Sequence, residues 1–337
     1  MPNRTLTPRA LRRAARSLRT VVRRGRTEAD WLRSRRDQAD VAVFHEFHDP
    51  PYGGGNQFLL ALVAEFGRRG LAVEINRLSG GTPGCLFNSF NFDFGRLRRF
   101  AREGARMVHR VDGPVGVYRG FDDGTDARIF RVNAELADAT VFQSQWSLDK
   151  HRELGVELCQ PVVIRNTVDP SIFHPPAQRE TLDGRPLRVV STSWSSNPRK
   201  GRDVLQRLGR ELDPARLRVT FVGNSDVAFE RIRSIPAVPS RELADILREH
   251  DVYLATSRDD PCSNALLEAL ACGLPAVYLR SGGHPELVGE GGFGYDDAAE
   301  LTDVFEQLRS ELDERRAAIR LPSLSDVADR YLDVLKG

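Results

Sequence analysis

Short apolar strands alternate with amphipathic helices along two separate stretches of the chain, and this alternation restricts the fold more than any other feature. The first stretch covers residues 38–173 and the second covers residues 187–322. Between them lies "HPPAQRETLDGRP" (174–186), which is rich in proline and polar residues and has no hydrophobic periodicity. Such alternation is typical of parallel βαβ units. The sequence therefore predicts an α/β protein with two Rossmann-like domains joined by a linker over residues 174–186.

The two ends of the chain depart from this pattern. Residues 1–37 form a basic extension, in which twelve arginines between positions 4 and 36 accompany only two acidic residues, Glu28 and Asp30. Apolar residues at helical spacing predict a helix over residues 5–25. This helix can lie on an anionic membrane surface or pack on the N-terminal domain, and its lack of interleaved aromatic residues argues against nucleic acid as a partner. Residues 323–337 predict a terminal helix that begins with a Ser/Asp cap.

Composition excludes several classes of protein. The net charge is only +2, so the chain as a whole is not built to bind a polyanion. No apolar run approaches the roughly 18 residues of a membrane span, and the basic N-terminus lacks the apolar region of a secretory signal. The four cysteines form no Cys-x-x-Cys pair, which favours reduced thiols. We expect a cytoplasmic protein. Its basic N-terminal helix can hold it at the inner face of the membrane as a peripheral protein.

The segment "DDPCSNALLEALACGLPAV" (259–277) carries the clearest chemistry. A strand ends just before it, and a helix begins near Ser263 and Asn264, so the free amides and positive dipole end of that helix suit a diphosphate. Glu268 lies one turn further on, where its carboxylate can accept hydrogen bonds from two ribose hydroxyls. Asp260 lies on the loop, within reach of a sugar. Taken alone, Glu268 fits a partly solvated helix residue equally well.

Several segments together resemble a known family. The Asp-x7-Glu spacing of residues 260 and 268, with the "EALACGLPAV" and "SGGHPELVGEGGFGY" that follow, is similar to the acidic-x7-Glu region of GT-B glycosyltransferases of the retaining family four. Further similar segments are "VIRNTVDPSIFHP" (163–175), "SRELADILREHDVYLATS" (240–257) and "GGGNQFLLALVAEFGRRGLAV" (53–73). The resemblance spans roughly residues 40–335. It implies that the two domains face a central cleft and that the C-terminal helix packs back on the N-terminal domain.

The resemblance also assigns residues to a donor site in the C-terminal domain. Lys200 of "NPRKG" matches the family's diphosphate-binding lysine, although the position five residues earlier, usually Arg, is Ser195. Arg199 is a candidate for the missing charge. Asp260 stands where the family usually has Glu, so its side chain is one methylene shorter. His284 lies in the family loop that approaches the donor.

On the N-terminal side the resemblance indicates the acceptor. Three glycines, Gly53, Gly54 and Gly55, form a strand-to-helix turn that faces the donor phosphates and the acceptor. His109 and Asp112 lie near the end of the strand "ARMVHRVDG", and either can orient the acceptor hydroxyl. Spacing does not decide between them, and a structural role for His109 has equal weight.

The sequence thus predicts a retaining glycosyltransferase that moves a sugar from a nucleoside diphosphate-sugar to an acceptor that the sequence leaves open. No cofactor and no metal are expected, because GT-B enzymes generally stabilise the leaving diphosphate with bases and helix dipoles. The alternatives are a GT-B sugar-nucleotide epimerase, a non-catalytic sugar-nucleotide-binding or membrane scaffold protein, and a dehydrogenase. The last lacks a Gly-x-Gly-x-x-Gly loop followed by an acidic residue.

Overall fold

A computed structural model of the chain describes residues 38–49, 53–101 and 104–337. The helix predicted over residues 5–25 lies outside these ranges, so its contact with an anionic membrane stays a prediction. Within the described ranges, no helix combines the length and the apolar character needed to cross a membrane. The same ranges contain no group of three or more His, Cys, Asp or Glu side chains arranged to hold a metal ion.

The first of two sheets contains six parallel strands in the order β2-β1-β3-β4-β5-β6. They are β1 (Val41–Phe44), β2 (Val73–Ile75), β3 (Gly84–Asn88), β4 (Arg106–Val111), β5 (Ala139–Phe142) and β6 (Pro161–Val163). The accompanying helices are α1 (Gly54–Arg68), α2 (Phe94–Phe100), α3 (Val115–Arg119), α4 (Thr125–Leu136) and α5 (Gln145–Glu153). This strand order is that of a doubly wound α/β domain.

The second sheet also has six parallel strands, in the order β12-β11-β10-β7-β8-β9. They are β7 (Leu187–Ser193), β8 (Leu217–Gly223), β9 (Ile232–Ile235), β10 (Val252–Ala255), β11 (Ala276–Leu279) and β12 (Gly292–Tyr295). Its helices are α6 (Arg202–Glu211), α7 (Ser240–Arg248), α8 (Asn264–Ala271), α9 (His284–Val288), α10 (Leu301–Ser310) and α11 (Leu312–Ala317), with 3-10 turns at Pro198–Lys200 and Ala298–Glu300. No helix or strand lies between Val163 and Leu187 in this described part of the chain.

The hydrophobic runs explain why these segments become central strands. All four residues of β1 are buried, as are those of β5 and β10. Helices on both faces of a parallel sheet cover every side chain, so such strands are continuously apolar. Three strands did not follow from the sequence. β3 and β12 each begin with glycine, which is a poor strand former, and half of β9 is polar.

The last helix, α12 (Leu324–Lys336), returns to the N-terminal domain as predicted. Tyr331 is fully buried, and its ring centroid lies 6.0 Å from that of Phe58 in α1. Arg69, at the end of α1, forms an ion pair with Asp329 at 2.5 Å. The chain therefore crosses between the two domains twice, once in each direction.

Candidate active site

A cleft of about 370 Å³ lies where the carboxyl ends of the two sheets face each other. Residues that follow β1, β3, β4 and β5 line one wall, and residues that follow β7 and β10 line the other. Ligands of doubly wound α/β domains bind at the carboxyl ends of the strands, where loops rather than ladders present polar groups. Both domains therefore offer their binding edges to the same space.

The start of α8 forms part of the C-terminal wall. Ser263 caps the helix by accepting a hydrogen bond from the Leu266 amide at 3.4 Å. Ser263, Asn264 and Ala265 all line the cleft. The structure thus brings the predicted pair Ser263 and Asn264 to the cleft, with the positive end of the helix dipole beside them.

Lys200 and Asp260 meet on the same wall. The Lys200 Nζ lies 2.7 Å from Asp260 Oδ2, although sixty positions separate the two residues. Asp260 is buried, and burial alone would raise its pKa. The charges of Lys200 and His284 outweigh that effect and hold the pKa of Asp260 below its ordinary value. Arg199 also lines the cleft and forms an ion pair with Asp259.

Two more side chains extend from Asp260 into the protein. The Ser257 hydroxyl lies 3.3 Å from Asp260 Oδ2 and 3.1 Å from Nε2 of His284. His284 is fully buried, and its Nδ1 lies 3.0 Å from the carbonyl oxygen of Leu279. Burial lowers the pKa of His284, while Asp260 opposes this effect. A row of polar groups therefore runs from the Leu279 carbonyl to the ammonium of Lys200.

Glu268 lies in a cavity of about 100 Å³ that adjoins the cleft. Trp194 and Val238 line this cavity as well. The Glu268 side chain is buried, and burial raises its pKa to about 8. No side chain in the described ranges donates a hydrogen bond to its carboxyl group, so this polar group is available for a ligand.

Asp112 faces the C-terminal wall from the N-terminal domain, directly after β4. Its carboxylate accepts hydrogen bonds from the side-chain amide of Gln143 and, at 2.9 Å, from the Ser89 hydroxyl. Arg110 lies 3.5 Å away. These contacts fix the carboxylate while leaving it in contact with the cleft.

His109 lies elsewhere. Its ring is fully buried and stacks on Phe87 with centroids 4.4 Å apart, and its Nδ1 lies 3.1 Å from the Asn133 amide nitrogen. Burial lowers its pKa to about 3. His109 stands inside β4, where side chains point into the helix layers, whereas Asp112 stands past the end of the strand. The structure brings Asp112, and not His109, to the cleft.

Some cleft residues did not follow from the sequence. His45 and Trp194 both line the cleft, immediately after β1 and β7. Their position after an apolar run was the signal that could have found them. Asn88 and Phe90 also line it, at the end of β3. They were missed because that strand was missed.

The two walls are in direct contact at several points. Gly54, at the start of α1, packs directly against Asn264 at the start of α8. The Asn166 amide donates a hydrogen bond of 3.0 Å to Asn264 Oδ1. Glu286 accepts hydrogen bonds from the backbone amides of Gln145 and Trp146 at 3.0 and 2.9 Å. Glu286 therefore helps to cap α5, although α5 belongs to the other domain.

We expect Gly54→Ala to push the two domains apart. A Cβ at position 54 would lie 2.4 Å from the Asn264 Cβ, closer than two carbon atoms can approach. Small-angle X-ray scattering should therefore show a larger radius of gyration than in the wild type. Gly55→Ala is the matched control, because a Cβ there meets nothing within 4 Å. Asn264→Gly in the Gly54→Ala background should restore the closed shape, and an unchanged shape in the single variant would contradict the predicted clash.

Comparison with solved structures defines the class of fold. The chain has the GT-B fold. It is similar to the sucrose-phosphate synthase of Thermosynechococcus elongatus, with a TM-score of 0.65 and 16% identity, over 90% of this chain and 95% of the other. Anabaena HepE, solved in complex with UDP, is similar with a TM-score of 0.59 and 15% identity, over 88% of this chain and 95% of HepE.

Sequence comparison gives a more specific result than the comparison of folds. Residues 188–311 match the family model described as "Glycosyl transferases group 1". One subunit of the human phosphatidylinositol N-acetylglucosaminyltransferase is 30% identical over 142 residues, which is 38% of this chain. The chain spans only 28% of the length of that relative. The family match confirms the resemblance to glycosyl transferases group 1 over residues 188–311.

Proposed function

We propose that the chain is a retaining GT-B glycosyltransferase that moves a sugar from a nucleoside diphosphate-sugar to an acceptor hydroxyl. One observation carries the proposal. The Lys200 ammonium and the amide end of α8 share one wall of the cleft, the available carboxyl group of Glu268 lies in the cavity that adjoins this wall, and Asp112 stands on the opposite wall. A cation beside a helix start suits a diphosphate, and a carboxyl group one helical turn away suits a ribose.

In this proposal the C-terminal wall of the cleft binds the sugar donor and stabilises the leaving diphosphate. Lys200 and Arg199 supply positive charge, and the start of α8 adds its dipole. Fixed charges of this kind can do the work of a divalent ion, so no metal is part of the proposed mechanism. Asp260 faces the transferred sugar. Because the Lys200 ammonium is paired with the Asp260 carboxylate in this structure, it has to turn toward the phosphates when the donor binds.

The acceptor wall orients the attacking hydroxyl. Asp112 is held by Gln143 and Ser89, so its carboxylate can accept a hydrogen bond from that hydroxyl in a fixed position. Retention follows the front-face route, in which a phosphate oxygen of the departing diphosphate takes the acceptor proton. Closure of the two domains excludes water and limits hydrolysis of the donor.

Binding and turnover together test this proposal. Thermal shifts with UDP-, GDP-, ADP- and TDP-sugars should identify the donor, because a ligand that binds only the folded state raises the melting temperature. UDP-N-acetylglucosamine is the first candidate, given the name of the human relative and the UDP in the HepE structure. Nucleoside diphosphate release that requires an added acceptor supports transfer. Release or isomerisation without an acceptor would favour an epimerase, and binding without any turnover would favour a scaffold protein.

We expect Glu268→Gln to weaken nucleotide binding. Above pH 8, where Glu268 is ionised, glutamine keeps one acceptor oxygen but replaces the other with an NH2 group and removes the charge. The lost charge-assisted hydrogen bond to the ribose is worth about 1.5–3 kcal/mol, or roughly ten- to a hundredfold in affinity. Titration calorimetry with the identified nucleoside diphosphate measures the loss. Glu242→Gln, on the exposed face of α7, is the matched control. Equal affinity in wild type and Glu268→Gln would remove the ribose role.

The same variant should change how stability depends on pH. The folded chain keeps Glu268 protonated up to about pH 8, whereas the unfolded chain ionises it near its ordinary pKa of 4.5. The folded state therefore binds more protons over this interval, and the contribution of Glu268 to stability is lost as the pH rises through 8. Glu268→Gln should gain stability relative to wild type between pH 5 and pH 8 in urea unfolding. A constant difference across this interval would contradict the shifted pKa.

A further inference from the structure

The row of polar groups behind Asp260 contains too few hydrogens for all its contacts. The Leu279 carbonyl can only accept, so Nδ1 of His284 carries the hydrogen in that 3.0 Å contact. In a neutral imidazole Nε2 is then an acceptor. Ser257 has one hydroxyl hydrogen, yet its oxygen lies within hydrogen-bond distance of both Nε2 and Asp260 Oδ2. With neutral His284, Ser257 can donate to the imidazole or to Asp260, but not to both.

Protonation of His284 removes this conflict. An imidazolium donates from Nε2 to the Ser257 oxygen, and the single hydrogen of Ser257 is then free for Asp260. Two arrangements of the same atoms follow. In the first, the Ser257 hydroxyl donates to Nε2 of His284, and only the Lys200 ammonium donates to Asp260 Oδ2. In the second, His284, Ser257 and Asp260 form a continuous chain that does not need Lys200.

The charged groups that act on buried His284 are Asp260, which favours the imidazolium, and Lys200, which opposes it. Glu286, on the same helix, is turned toward the amides of α5. Movement of the ammonium toward a bound diphosphate therefore removes one charge that keeps His284 neutral and leaves Oδ2 of Asp260 without its ammonium partner, while Oδ1 keeps its hydrogen bond from the Cys262 amide. Both changes favour uptake of a proton.

We propose that His284 and Ser257 are positioning residues that take over Asp260 when a diphosphate draws Lys200 away. One proton passes from solvent to Nε2 of His284, and the Ser257 hydroxyl turns from His284 to Asp260. Donor binding is thus coupled to the uptake of one proton, and the carboxylate keeps a fixed orientation toward the sugar while its ammonium partner works on the phosphates. This inference rests on the proposed function for the role of Lys200.

Histidine NMR on the full chain tests the coupling. The carbon and nitrogen signals of the imidazole of His284, assigned by their absence in His284→Gln, give its pKa with and without saturating inorganic pyrophosphate. We expect pyrophosphate to raise this pKa by roughly one pH unit or more. His250 is an internal control, because its Nδ1 also meets a carbonyl and its Nε2 meets the Thr220 hydroxyl, neither of which lines the cleft. An unmoved His284 with pyrophosphate bound would overturn the inference.

A ligand-free arm separates the inference from the proposed function. Lys200→Met should raise the pKa of His284 without any ligand, and adding Asp260→Asn should cancel the rise. The Asn variant also guards against misfolding, because it neutralises the carboxylate that Lys200→Met leaves unpaired. If pyrophosphate does not bind, the proposed function loses its support and the ligand-free arm alone decides the inference. The same pKa of His284 in wild type and Lys200→Met would then reject it.

Discussion

Lys200→Met is expected to reduce sugar transfer by about 10²- to 10³-fold, the usual loss when one fixed donor to a developing anion is removed. The Lys200 side chain is 36% exposed at the cleft wall, and its ammonium needs only to turn from Asp260 to reach a phosphate beside α8. Methionine keeps the length of the chain and removes the charge. Initial rates with the identified donor and acceptor measure the effect, and most of it should appear in kcat.

The controls separate lost charge from a disturbed fold. Lys150→Met removes an ammonium that pairs with Glu153 on the surface of α5 and should leave the rate unchanged. Asp260 is buried, so its charge is costly once Lys200 is gone. The melting temperature and circular dichroism of Lys200→Met should therefore be compared with those of the double variant with Asp260→Asn. A folded Lys200→Met protein with near wild-type rates would exclude the ammonium from the reaction.

Gly282→Ala should abolish most activity by a different route. Gly282 has φ +64°, and a Cβ at this position would lie 2.3 Å from the Asp260 carbonyl oxygen and 2.6 Å from its amide nitrogen. Both contacts are with backbone, so the loop that carries Asp260 has to move. Displacements of about 1 Å at a reacting centre cost on the order of a hundredfold in rate. We expect a loss of at least this size, measured as kcat/KM for transfer.

Gly289→Ala provides a close match for this test. Gly289 follows α9, has φ +52°, and leaves a Cβ with nothing within 4 Å. Both substitutions force alanine to a positive φ, which costs on the order of 1–3 kcal/mol, but only Gly282→Ala moves the Asp260 loop. Similar stability losses with very different rates would support the argument. Equal rates in the two variants would show that the loop tolerates the displacement.

The sequence predicted those parts of the fold that depend on long, regular patterns. The buried runs of β1, β5 and β10 and the amphipathic helices between strands identified two parallel α/β domains. β3, β9 and β12 were not predicted, because pairing with neighbouring strands, rather than their own residues, holds them in the sheet. Long-range pairing of this kind leaves little trace in a short, glycine- or polar-rich segment.

In the candidate site, too, the features that depend on local patterns were predicted and those that depend on long-range contacts were not. Lys200, Ser263, Asn264 and Glu268 lie in recognisable local patterns, and the structure places all four around the cleft or its adjoining cavity. The Lys200–Asp260 pair joins two loops sixty positions apart, and no local pattern encodes it. His109 and Asp112 are only three residues apart in the sequence. Their different surroundings depend on where β4 ends, which is the least predictable feature of a strand.

The cap that Glu286 gives to α5 makes the start of that helix an internal gauge of domain separation. If the cleft opens, the amide hydrogens of Gln145 and Trp146 lose their acceptor to water. The neighbouring amide of Ser147 keeps its bond to the Ser144 hydroxyl, since both lie in one domain. The ratio of deuterium incorporation at these adjacent positions should therefore report how often the two lobes part, without any label attached to the protein.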